Sequence, residues 1–234
     1  MLLRRMLNLL KLFGRLFGCS DSNEERVPEK TQVPETMDKY LIVGLGNPGS
    51  EYEDTRHNTG YMVLDAFAKA SNISFEDKRY GFVAETSLKG RKVFLLKPST
   101  FMNLSGNAVR YWLNHENIDQ NRLLVVSDEV ALPLGDFRLK AGGSNGGHNG
   151  LGHIQQLIGN NYARLRMGIG NDFPRGMQVD WVLGRYSEEE LQVLQPSIDL
   201  AVDIIKSFVL AGVDFTMNQY NKLGKRKVEV KSEV

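Results

Sequence analysis

The apolar run Tyr40 to Val43 stops at Gly44, and the chain then reads GLGNPGSEYEDTRHNTG to Gly60 before helical apolar spacing begins near Tyr61. A buried strand, a long polar loop and a helix in that order restrict the fold to an α/β arrangement, with the loop at the carboxyl end of a strand, where open α/β sheets hold their ligands. Gly44-x-Gly46-x-x-Gly49 satisfies the spacing of the dinucleotide fingerprint and follows a strand as that motif requires. In that motif, however, the helix begins within the glycines so that its amides meet a pyrophosphate. Here Ser50 to Asn58 is polar and lacks helical spacing, which displaces the helix well beyond them. The expectation is therefore a strand-to-helix loop stiffened by Pro48 that presents Asn47 and His57 to a crevice, with no nucleotide cofactor. The glycines serve positive φ and close backbone approach.

The rest of the chain carries the same alternation. Tyr61, Leu64, Phe67 and Ala68 keep helical spacing to about Ala70; Tyr80–Leu88 and Lys92–Leu96 form a hairpin about Lys89, Gly90 and Arg91. A polar loop from Lys97 to Gly106 follows, with Ser105 the expected cap of a helix over Ala108–His115. Leu123–Val126 has the continuous apolar character of a buried parallel strand and ends at Ser127-Asp128-Glu129. The Gly142–Gly147 loop opens a helix bearing His148, Asn149 and His153, and its amides are candidates for anion binding. Arg164 and Arg166 share one face of a strand continuing to Ile169, and Ser187 with Glu190 predicts a capping box. Pro196 is expected to divide the final helical region in two.

At 234 residues the chain suits one α/β domain with tails. Lys plus Arg is 29 against 28 for Asp plus Glu, so bulk charge announces no nucleic-acid partner. The single Cys19 excludes an internal disulfide and any cysteine metal cluster, and the four histidines show no HExxH pattern; no metal is expected. Residues 1–18 form a basic amphipathic helix, compatible with membrane-surface contact, an organelle presequence or an extension without a folding role. Lys11 and Arg15 interrupt it too early for a membrane span or a lipoprotein signal. Residues 20–38 read as a disordered linker, and Met37 as a second possible start. The expected division is residues 1–38, a globular domain over 39–222 and a basic flexible tail over 223–234.

Asn47, His57, Asn103, Asp128, His148 and Asn149 are polar residues at strand-end loops with no evident structural duty. A mostly parallel sheet would converge them. A His and an Asp brought together can form a general base of fixed tautomer, and asparagines suit peptide groups or a developing oxyanion. No cysteine lies nearby and Gly-x-Ser-x-Gly is absent, so water is the expected nucleophile.

Gly44-Leu45-Gly46-Asn47-Pro48-Gly49, Tyr52, Thr55-Arg56-His57-Asn58, Thr100 to Gly106, Gly146 to Leu151 and Arg164 to Gly170 together resemble the bacterial-type peptidyl-tRNA hydrolase family in order and spacing. The resemblance covers about Lys39 to Lys222. It implies a single α/β domain, with a central mixed, largely parallel twisted sheet flanked by helices, and a metal-free, cofactor-free esterase that frees tRNA from peptidyl-tRNA. Residue by residue, it implies His57 as the base and Asp128 as the acid orienting it. Asn47, Asn103 and Asn149 would bind peptide and terminal adenosine and position the water. Tyr52, Met102 and His148 would line the crevice, and Lys140 and Arg166 would touch the acceptor arm. A cytoplasmic monomer without stable protein partners is expected. Two positions depart from the family pattern: Ser127 precedes the acid where a His is common, and Ala131 replaces a second acid. An RNA-binding module is the main alternative, because plant organelle splicing factors resemble the same family; a nucleotide-cofactor enzyme is the third reading.

Overall fold

A computed structural model describes residues 38–225. The amphipathic segment expected at residues 1–18, the linker to residue 37 and the end of the basic tail lie outside the described residues.

Seven strands make one sheet: β1 (Lys39–Gly44), β2 (Glu76–Lys78), β3 (Gly81–Leu88), β4 (Arg91–Pro98), β5 (Leu123–Glu129), β6 (Phe137–Lys140) and β7 (Ala163–Gly168), in the order β2-β3-β4-β1-β5-β7-β6. The inner strands β4, β1, β5 and β7 run parallel, while β2, β3 and β6 join antiparallel at the edges. Among the described residues, six α-helices flank the sheet: α1 (Thr59–Ala70), α2 (Ser105–Glu116), α3 (Asn149–Ile158), α4 (Gln178–Leu183), α5 (Glu188–Ala211) and α6 (Val213–Tyr220). The α/β class and the mixed, largely parallel sheet are as the sequence implies.

Alternation in β1 distributes its side chains to two cores. Ile42 joins Leu64, Phe67, Val126, Leu165 and Phe208 beneath α1 and α5; Leu41 and Val43 join Val109, Trp112, Val125 and Ile154 beneath α2 and α3. Since β4 lies on one side of β1 and β5 on the other, the connection reverses at β1, and the loops leaving these strands meet there.

The glycines of the opening loop serve this packing. A Cβ on Gly44 would collide with the carbonyl of Gly60, one on Gly46 would lie 2.6 Å from the Tyr61 ring, and one on Gly60 would meet the Leu45 backbone and the Val126 carbonyl. They let the start of α1 press on the end of β1, and α1 begins ten residues after Gly49 (59 − 49), which is not the geometry of a dinucleotide motif.

The β3–β4 turn has positive φ at both Lys89 (48°) and Gly90 (82°), the two-residue form that matches strand twist. Three expectations need correction. Ser105 is no cap: it lies inside α2, and its hydroxyl donates to the Met102 carbonyl at 2.8 Å. Pro196 does not divide the last region; α5 runs through it, because Leu194, Ile198, Ala201 and Ile205 continue one buried stripe across the missing amide. The break falls at Gly212 instead, where φ is 82°. Beyond Lys222, Gly224 is buried and its carbonyl accepts from Phe137 N at 3.0 Å, so ordered packing passes the expected boundary.

Candidate active site

Asp128 sits near the end of β5, buried to 4 % exposure, and its Oδ1 is 2.9 Å from His57 Nδ1 and 2.9 Å from His148 Nε2. A carboxylate can only accept, so both ring nitrogens carry protons. Each histidine then has a defined tautomer. His148 is the N-cap of α3, and its Nδ1 accepts from Gly150 N at 3.1 Å and Leu151 N at 3.3 Å, which requires that nitrogen to be bare. His57 uses Nδ1 on Asp128, leaving Nε2 without a partner among the described residues. Among the four ring nitrogens of the two histidines, this is the one with a lone pair left free in the described residues.

Electrostatics reinforce the pairing. Burial lowers the His57 pKa, but the adjacent Asp128 charge and hydrogen bond outweigh it and raise the value above its ordinary one. Burial pushes the Asp128 carboxyl up, yet the His57 and His148 groups overcome that and hold it well below the usual carboxylate range. Asp128 therefore remains ionised across the neutral range.

The loop bearing His57 is fixed from two directions. Asn58 Oδ1 accepts from Asn47 N at 2.8 Å and Asn58 Nδ2 donates to Asn47 O at 3.0 Å, while Asn47 Oδ1 accepts from Met102 N at 2.7 Å. Arg56, also buried, donates to both carboxylate oxygens of Glu190 at 2.8 Å and to the Arg185 carbonyl at 3.0 Å, and stacks 3.9 Å from the Trp181 ring centroid. Asn58 and Arg56 had no signal as site residues in the sequence beyond their place beside His57. The capping box at Ser187 is present as expected, but the second task of Glu190 is visible only in the fold.

His57, Asp128, His148 and Asn149 line one cleft of about 270 Å³, whose far wall is Val179 and Val182 of α4. Asn47 and Asn58 line a separate cleft of about 450 Å³. Asn103 and Asn149 are exposed at the starts of α2 and α3, whereas Met102 is 4 % exposed and packs in the core under α2. Tyr52 lies half-buried in a short 3-10 turn, Ser50–Tyr52, outside both clefts. Lys140 is exposed at the end of β6. Arg166 is more enclosed, donating to Glu129 Oε2 and to the Ser144 carbonyl, each at 2.6 Å. Arg164 donates to the carbonyls of Gly143 and Ser144 at 2.7 and 2.8 Å. The Gly-rich loop is thus strapped down, and its expected anion-binding amides are partly consumed: Gly147 N serves Asn145 Oδ1, and Gly150 and Leu151 serve His148.

The ligand atoms of His57, Asp128 and His148 also lie within 4.8 Å of one another, a donor set that a metal ion could use, although the same atoms already satisfy one another by hydrogen bonds.

A sequence profile of the family described as Peptidyl-tRNA hydrolase matches residues 41–230. The chain belongs to the peptidyl-tRNA hydrolase family. Peptidyl-tRNA hydrolases of Phocaeicola vulgatus and Bacteroides fragilis are 62 % and 60 % identical to it over 185 residues, spanning 79 % of this chain and 99 % of each relative. The crystal structure of peptidyl-tRNA hydrolase from Acinetobacter baumannii superposes with a TM-score of 0.75 at 38 % identity, covering 79 % of this chain and 96 % of that one. Within this peptidyl-tRNA hydrolase fold, Ser127 and Ala131, the two departures from the family pattern, leave the His57–Asp128 pair intact. Ser127 is fully buried with an unpartnered hydroxyl, and Ala131 N is bonded by Glu129 Oε1 at 3.1 Å.

Proposed function

We propose that this protein hydrolyses the ester joining peptide to the 3′-terminal ribose of tRNA, releasing tRNA for reuse, with His57 as the general base and Asp128 orienting it. The observation that carries the mechanism is the bare Nε2 of His57 opposite an Nδ1 fixed on an ionised, buried carboxylate. Nε2 takes a proton from water as its oxygen attacks the ester carbonyl; the imidazolium so formed is stabilised by Asp128, and the same proton can pass to the departing ribose oxygen. His148 holds the same Asp128 oxygen, Oδ1, that His57 uses. Asn149, which lines the cleft, and Asn103, exposed just before α2, are suited to hold peptide and adenosine groups. Asn47 acts through the bond between Met102 N and its own side chain, and neither Met102 nor Tyr52 lines either cleft.

For the acceptor arm, Lys140 offers an exposed ammonium group. Arg166 would reach a phosphate by exchanging its partner Glu129. The work belongs to translation and hence to the cytoplasm, and a monomer with its substrate tRNA satisfies it without a cofactor.

The test is hydrolysis of N-blocked aminoacyl-tRNA by the purified protein. His57→Ala is expected to lose at least about a hundredfold in kcat with KM little changed. A folded His57→Ala protein that works at the parent rate would falsify the mechanism, and a parent protein that binds tRNA without cleaving it would favour a binding module.

A further inference from the structure

Behind the loop that carries Asn103, the polar face of α2 meets the turn between β2 and β3 in a cleft of about 450 Å³. It is lined by Arg79, Tyr80, Asn107, Arg110, Tyr111, Asn114 and His115. The five α2 residues follow helical spacing on one side, while Ala108, Val109, Trp112 and Leu113 face the core. No carboxylate lines this groove, and neither Arg79 nor Arg110 has an ion-pair partner among the described residues. Its aromatic groups form a continuous array. Tyr80 meets Tyr111 edge-on at 5.4 Å, Tyr111 stacks on His115 at 5.3 Å with 11° between planes, and the Arg79 guanidinium lies 5.2 Å from both tyrosine centroids.

Tyr80 occupies this turn at φ 65°, a conformation that glycine or asparagine adopts more readily. The ring remains 38 % exposed there. The Trp112 indole donates to the Arg79 carbonyl at 3.0 Å, holding the turn on α2, and Ser99 N donates to the Tyr80 carbonyl at 2.9 Å, joining it to the Asn103 loop.

We propose that this groove is a second RNA-contact site, which takes an unstacked nucleobase and its flanking phosphate from the tRNA held in the catalytic cleft. Exposed rings supply a stacking platform, Arg79 and Arg110 meet the phosphate, and the amides of Asn107 and Asn114 can bond base edges. The lining holds no carboxylate, Glu116 lying 3.8 Å from His115 Nε2 outside it, which selects an anionic partner, and the stacked rings select a base over a bare anion. The inference rests on the proposed tRNA substrate, and its test is read by binding, independently of hydrolysis.

The measurement is fluorescence anisotropy of labelled deacylated tRNA over a salt series. Tyr80→Gly, which suits the turn, is expected to weaken binding about fivefold or more with the salt slope unchanged, whereas Tyr80→Phe retains affinity. Arg110→Ala should weaken binding and reduce the salt slope by about one. Hydrolysis of a minimal N-blocked aminoacyl-adenosine ester, too short to reach the groove, reports whether the catalytic cleft is intact. Affinities of Tyr80→Gly and Arg110→Ala within twofold of the parent overturn the proposal; so does a loss in Arg110→Ala alone, or an equal loss on the minimal ester.

Discussion

As the proposed base, His57 must be neutral to act, yet it lies beside a carboxylate that favours its charged form. Its pKa is raised above 6.5, so the base is available only above that value and the acid limb of kcat/KM should lie on the alkaline side of pH 6.5. Asp128→Asn removes the charge and leaves burial, which lowers the pKa, so the limb should move to lower pH. The rate above it should fall by about a hundredfold or more, because an amide need not hold the productive tautomer. Profiles from about pH 5 to 9 measure both effects; an unmoved limb in Asp128→Asn would sink the assignment. Stability follows the same pair with opposite signs. The raised His57 value contributes stability that is present below pH 6.5 and lost as pH rises through the folded value. The depressed Asp128 value contributes stability that is present above pH 3.8 and lost as pH falls through its folded value.

Among the elements, the Gly-rich loop shows why two cations on neighbouring strands should behave differently. Arg166 holds the Ser144 carbonyl and Glu129, next to Asp128, whereas Lys140 on β6 is exposed. Arg166→Ala is therefore expected to lower kcat on a minimal ester as well as on full tRNA, by releasing the loop that ends at His148. Lys140→Ala should raise KM for tRNA alone, and equal behaviour of the two variants in parallel assays would contradict the distinction. The elements that were legible in the sequence are those written in apolar period: β1, the β3–β4 hairpin, β5 and α1. β2 was not, because Glu76-Asp77-Lys78 has no apolar residue and exists only by pairing with β3. Pro196 misled because a buried stripe outweighs one lost amide bond. At the site, the approach of His57 to Asp128 could be anticipated from their strand-end loops and from the family resemblance. Arg56 could not, since its partner Glu190 is 134 residues away and only the tertiary fold brings them together.

For the molecule as a whole, the described domain starts at the centre of its sheet. Lys92 N donates to the Asp38 carbonyl and Arg122 pairs with the Asp38 carboxylate, each at 2.8 Å, so a chain begun at Met37 keeps every one of these contacts. Its melting temperature and kcat/KM on tRNA esters are expected to match the full chain within error, and a marked drop in either would show that the first 36 residues support the domain. Late segments of this domain are tied to earlier ones. Arg56, beside the proposed base, is clamped by Glu190, and β6 is bonded to Gly224. During its own synthesis the growing chain is a peptide esterified to tRNA, the bond that it is proposed to cut. Because translation delivers the His57 loop long before Glu190, the Arg56–Glu190 clamp can form only after most of the domain has been made.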